Sequence, residues 1–194
     1  MHTHSLADYM ECIYKSDWEG VARLMLSSAN KLAAIEADFL ICPDNTIHQA
    51  MGYVLPKSPL PRIHIAEAVA QEAVRQGFRR LGVTGTRWLV KSEVYPEKLE
   101  AHGLEFMRPT LTERDEINRI IMDELVYGVF RPESLLIFRG VIERMKGEGC
   151  DAVVLGCTEI PLIVNDGNSP LPVLDSTRLL ARAALRRSVE RAVP

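Results

Sequence analysis

The sequence predicts an α/β protein of two similar lobes, each a parallel β-sheet flanked by helices, with an active site in the cleft between them. Two observations carry that expectation. Short apolar runs alternate with helical patterns of ten or more residues, which is how βαβ crossovers read. The chain also repeats itself: ADFLICPDNTIH at 37–48 lies over CDAVVLGCTEIP at 150–161 without a gap. In that register Asp38 meets Asp151, Pro43 meets Gly156, and Asp44 falls opposite Cys157. In the first copy an apolar run meets a proline and then polar residues with turn and capping character, as where a buried parallel strand reaches a ligand-binding edge.

The elements follow in order. Val21, Leu24, Met25, Leu32 and Ile35 recur at helical spacing, with Ser16 or Asp17 as the cap. A strand at 38–42 comes next, then a helix over 64–76 that stops at Gly77. A strand at 80–84 leads into Gly85-Thr86, and a helix around 92–101 ends before Gly103. A short strand at 104–107 precedes a helix that Thr112 and Asp115 open as a capping box, with Ile117, Ile120, Ile121 and Leu125 on one face. A helix at 133–148, strands at 151–156 and 171–174, and a helix at 176–191 complete the series. The seam falls near 77–79, which assigns residues 1–77 with 176–194 to the first lobe and 78–175 to the second. The opening HTHSLADY reads at best as the end of a second strand, so a first strand is expected to precede Met1.

Composition narrows the class. The 194 residues carry a net charge of −3 and are 47% hydrophobic, which suits a globular domain and gives no reason to expect nucleic acid or an acidic membrane surface. No apolar run reaches the length of a membrane span. The start lacks the apolar core of a signal peptide, so the expected location is cytoplasmic. Cys12, Cys42, Cys150 and Cys157 form no CxxC pair, and reduced thiols without zinc are the expectation.

Cys157 stands where a strand end meets a turn or helix N-terminus, a setting that lowers a thiol's pKa. It is therefore expected to be the most thiolate-like of the four, against the alternative of a packed small hydrophobe. Asn45 and Thr46 offer an amide and a hydroxyl suited to a carboxylate, or alternatively cap the next helix along with Asp44. Thr84 and Thr86 flank a glycine at the end of a strand in the second unit. His48 and His64 lie near strand or loop ends and are either structural or lining. The Arg178, Arg182, Arg186, Arg187 and Arg191 face reads as solvated, given the negative net charge.

These pieces resemble the cofactor-independent aspartate/glutamate racemase family: ICPDNTIH (41–48), PRIHIAEA (61–68), GVTGT (82–86), EINRIIMDEL (116–125), VVLGCTEIPLI (153–163) and PVLDST (172–177). The resemblance implies a racemase-like isomerase without metal or cofactor, acting on an amino acid or small carboxylic acid in a cytoplasmic homodimer. It assigns Cys157 as the second lobe's acid/base. It makes Asn45, Thr46, Thr84, Thr86, Thr158, Ser5, His64 and Glu159 substrate-binding candidates. Asp44 replaces the Cys or Thr usual in the first lobe, Cys42 belongs to the strand, and many members carry a basic residue at the place of Glu116. The family's opening strand and Gly-Gly-Met loop have no counterpart here.

Racemisation needs a base on one face of Cα and an acid on the other. An Asp/Cys pair starts about 4.6 pKa units apart, on the order of 6 kcal/mol, and burial of the carboxyl narrows that gap. Such a pair also suits a related isomerase or decarboxylase. The alternative outside enzymology is a catalytically silent binder of small carboxylates.

Overall fold

A computed structural model describes residues 1–190. It begins with helix α1 (Leu6–Tyr14) where the end of a strand was expected. Ser5 accepts from the Asp8 backbone N–H while Asp8 accepts from that of Ser5, a capping box that the S-L-A-D spelling carries. Helix α2 (Trp18–Ala33) is capped by Asp17, whose carboxylate accepts from Gly20 N at 2.8 Å. Strand β1 is only Leu40–Ile41, and it pairs in parallel with β2 (Arg62–Ile63). Between them run a 3-10 turn (Thr46–Ala50) and α3 (Met51–Val54). Ile13, Val21, Met25, Met51 and Val54 form the core of this smaller unit.

Helix α4 (Ile65–Gln76) ends at Gly77, whose φ of 81° is a left-handed cap. The larger sheet then uses β3 (Arg80–Gly85), β4 (Glu105–Met107), β5 (Ala152–Gly156) and β6 (Val173–Asp175), all parallel in the order β4-β3-β5-β6. The expected helix at 92–101 is instead two, α5 (Arg87–Lys91) and α6 (Pro96–Ala101). Ser92 ends the first by donating its hydroxyl to Leu89 O, and Pro96 starts the second. The capping box of α7 (Leu111–Asp123) is Thr110 with Glu113, two residues earlier than expected. Helices α8 (Pro132–Gly147) and α9 (Ser176–Glu190) complete the fold, and Arg191 lies outside the described residues.

The period of two along β5 divides the core. Ala152 and Val154 face one side with Leu81 and Val83, and there the small residues Ala66, Ala70 and Ala73 let α4 approach closely. Val153 and Leu155 face the other side, against Ile117, Ile120 and Ile121 of α7 and Phe138, Ile142 and Met145 of α8. Each such side chain contributes about 1.5–3 kcal/mol when fully buried. Helix α9 lies along α4, and its Arg187 guanidinium sits 4.9 Å from the ring centroid of Phe39, which immediately precedes β1. Among the described residues no helix is long and apolar enough to cross a membrane.

This order fixes where a site can form. The chain leaves β3 for β4 on one side and returns to β5 on the other, so the connections diverge between β3 and β5. The crevice beyond the carboxyl ends of those two strands is the switch point of the sheet. Gly85 and Gly156 are the last paired residues there.

Candidate functional site

A cavity of about 80 Å3 opens at that switch point, between the larger sheet and the turn after β1. Asp44, Asn45 and Thr46 reach it from the smaller unit, Thr86 follows β3, and Cys157, Thr158 and Glu159 follow β5. Asp44 and Cys157, paired by the internal repeat, thus line one cavity from two different sheets. The remaining wall is apolar and comes from helices: Leu6, Tyr9 and Met10 of α1, Trp88 of α5 and Met122 of α7 are part of it. The sequence reading missed this wall, because its residues meet only through the tertiary fold.

Asp44 both caps and faces the cavity. Its Oδ1 accepts from Ile47 N at 3.1 Å. Burial pushes its carboxyl above the ordinary carboxylate range; the Ile47 and Thr46 backbone N–H groups oppose the rise, and the Glu159 charge adds to it. His48 fixes the same turn. Its Nε2 accepts from Ile65 N at 3.3 Å, which leaves Nδ1 to carry the proton and donate to Asp44 O at 2.7 Å. Burial pulls this imidazole down to about 4, so it is neutral at pH 7.

Cys157 donates to Glu159 Oε2 at 2.9 Å, and Thr158 Oγ1 donates to the same oxygen at 2.7 Å. The expectation of a thiolate-like Cys157 is corrected here. Burial, and then the Glu159 charge, push its thiol well above the usual range. The segment after β5 forms only a three-residue 3-10 turn (Ile160–Leu162), too short to supply a helix dipole. Asp44 and Cys157 both shift upward, so burial does not simply close the gap between them. We expect Cys157 to be alkylated slowly by iodoacetamide at neutral pH. Glu159→Gln should accelerate that labelling, each unit of pKa removed raising the thiolate fraction about tenfold. An unchanged rate would mean that Glu159 does not govern the thiol.

A buried relay joins the two halves. Tyr95 Oη donates to Asn45 Oδ1 at 2.7 Å, Asn45 Nδ2 donates to Ser176 Oγ at 2.9 Å, and Ser176 Oγ donates to Leu155 O at 2.8 Å. Thr46 and Thr86 hydroxyls bridge the same seam at 2.8 Å. The relay ties the residue after Asp44 to β5, the strand that ends at Gly156 just before Cys157. Tyr95 is 1% exposed, so Tyr95→Phe leaves Asn45 Oδ1 buried without its donor. The expected cost is about 1–3 kcal/mol, seen as a fall of roughly 2–10 °C in Tm; an unchanged Tm would discount the relay.

Three candidates stand away from the cavity wall. Thr84 is fully buried and donates to Val154 O at 2.7 Å inside the sheet. His64 caps α4, accepting from Ala66 N at 3.2 Å with its ring against His48. Ser5 is consumed in the α1 capping box. Cys42 follows β1 and packs into the smaller core, where burial pushes its thiol up to about 12. Among the described residues no three His, Cys, Asp or Glu side chains converge as metal ligands would.

Parallel sheets flanked by helices, with a small cavity at the strand ends, define an α/β protein with a site for a small molecule. The chain belongs to the Asp/Glu/hydantoin racemase family, whose model matches residues 1–184. It is 21% identical to the broad-specificity amino-acid racemase RacX of Bacillus subtilis (strain 168), over 87% of this chain and 73% of that one. It is 28% identical to a glutamate racemase of Aquifex aeolicus (strain VF5), over 85% of this chain and 64% of the relative's length. Among solved structures, a candidate Asp/Glu racemase from Yersinia pestis superposes with a TM-score of 0.87 at 32% identity, covering 96% of this chain and 81% of the other. An aspartate racemase homologue from Pyrococcus horikoshii OT3 superposes at 0.78 with 31% identity, covering 89% and 76%.

Proposed function

We propose that this protein is a cofactor-independent amino-acid racemase-like isomerase that passes the α-proton of a small amino acid between Asp44 and Cys157. The observation that carries the reading is the shared cavity: a carboxyl after β1 and a thiol after β5 both line it. Ionised Asp44 takes the α-proton from one face of Cα, and the Cys157 thiol delivers its proton to the other. In the reverse direction the thiolate removes the proton and the Asp44 carboxylic acid returns one. Each transfer is worth about 10²–10⁴ in rate when well placed.

The Glu159 contact belongs to the same cycle. It holds Cys157 in the thiol form needed for delivery, and a substrate ammonium beside Glu159 would weaken that hold. Thr46, Thr86 and Thr158 supply hydroxyls for the substrate's polar end, while Asn45 sets the turn through its relay. We further assign a homodimer working in the cytoplasm; light scattering checks the first.

The unequal pair also favours a second reading, a one-way isomerase or decarboxylase of a small carboxylic acid. The test is incubation of single amino-acid enantiomers with the protein in D2O. Racemase chemistry gives α-deuterium and the opposite enantiomer together. A binder gives neither, and a one-way enzyme gives deuterium without a mixture of enantiomers.

A further inference from the structure

We propose that the substrate of this cleft carries an apolar side chain and no second carboxylate, an inference that rests on the racemase-like reading above. The cavity has two unlike sides. Its polar side is built from the strand ends and suits the part of an amino acid common to all of them. The opposite wall is built from helices, and Leu6, Tyr9, Met10, Trp88, Met122 and Val126 are on it.

Among the described residues no Lys, Arg or His lines the cavity, whereas two carboxyl groups, Asp44 and Glu159, do. A substrate side-chain carboxylate would be desolvated with no cation to meet it and with like charges nearby. Two cations lie close by without lining the cavity. Arg62 lies near Tyr9 and Cys42, its Nε donates to Ser58 Oγ at 3.0 Å, and its Nη2 is buried without a partner but is not on the cavity wall. The Arg87 guanidinium stands 5.9 Å from the centroid of a Trp88 ring.

Size points the same way. The 80 Å3 of the cavity holds roughly five to eight water-sized groups at about 10–15 Å3 each, which fits a small amino acid such as alanine or valine better than the longer glutamate or lysine. Aspartate and leucine are alike in size and are separated by charge alone. A long cationic side chain would match the acidic groups but not the apolar wall. Specificity here comes as much from the missing cation as from the wall itself.

The experiment measures α-deuterium exchange in D2O with alanine, valine, leucine and methionine against aspartate, glutamate and lysine. The expected result is a kcat/KM at least about 100-fold higher for the best apolar substrate, the scale of one unpaired charge in a desolvated pocket. Met122→Lys, which places a cation on the apolar wall, should raise the aspartate-to-leucine ratio by about tenfold or more; no change in that ratio would overturn the inference. If this variant does not fold, the wild-type ratio decides alone. Preference for aspartate, glutamate or lysine in the wild type overturns the inference while leaving the racemase-like reading intact. An aspartate preference that Arg87→Gln removes would do so too and would name Arg87 as the partner of the carboxylate. Absence of exchange with every amino acid overturns both readings.

Discussion

Asp44→Asn is expected to lower racemisation by about 10²–10⁴-fold, the scale of one well-placed acid or base, while leaving the protein as stable as before or more so. The two effects separate because Asp44 does two jobs. As a cap it needs only an oxygen to accept from Ile47 N at 3.1 Å, and an asparagine Oδ1 does that equally well. As an acid/base it must gain and lose a proton, which asparagine cannot do. The carboxyl's folded pKa is raised above its ordinary value of 3.8. Its contribution to stability is therefore fully present below that value and is lost as the pH rises through the folded pKa. At pH 7 the ionised form is a cost, and the neutral amide removes it. Turnover and Tm measured on the same preparation check both halves, and an Asn variant with wild-type turnover would reduce Asp44 to a cap.

Cys157→Ala produces a loss of the same order through the other face of the substrate. The residue as a whole is partly exposed, although its thiol is desolvated, and it packs at the edge of the cluster that contains Leu155 and Ile160, so truncation costs about 1 kcal/mol and the fold survives. The Glu159 carboxylate loses one of the two donors it now holds. It keeps Thr158 and remains able to bind an ammonium group. Substrate binding should therefore persist while turnover collapses, seen as a kcat effect far larger than the KM effect. A variant that lost binding instead would make Cys157 a wall of the pocket and not a reagent.

The strands of the larger sheet were legible because burial on both faces writes itself as unbroken apolar sequence, as in Val153-Val154-Leu155. Gly77 announced its left-handed cap equally well. Local chemistry was harder to read where two signals competed. The S-L-A-D box at Ser5 spelled a helix start, but the usual opening of an α/β unit favoured a strand there. Thr112 and Asp115 resembled a capping box two residues away from the real one at Thr110 and Glu113. Within the site, the gapless repeat brought Asp44 and Cys157 together on paper, and they line one cavity in the fold. Nothing local could reveal that Leu6, Trp88 and Met122 share a wall, since they come from three helices far apart in sequence. Nor could it reveal that Glu159 turns toward Cys157 and raises its thiol.

The central claim is that Asp44 and Cys157 address opposite faces of one carbon. Its most direct test offers each enantiomer of the best substrate separately, in D2O, to Asp44→Asn and to Cys157→Ala, and follows α-deuterium by mass spectrometry. Each variant retains one base, which can still remove a proton from the enantiomer that faces it and return deuterium to the same side. The account predicts exchange without inversion, confined to one enantiomer in Asp44→Asn and to the other in Cys157→Ala. Exchange confined to the same enantiomer in both variants, or inversion surviving in either, would contradict it.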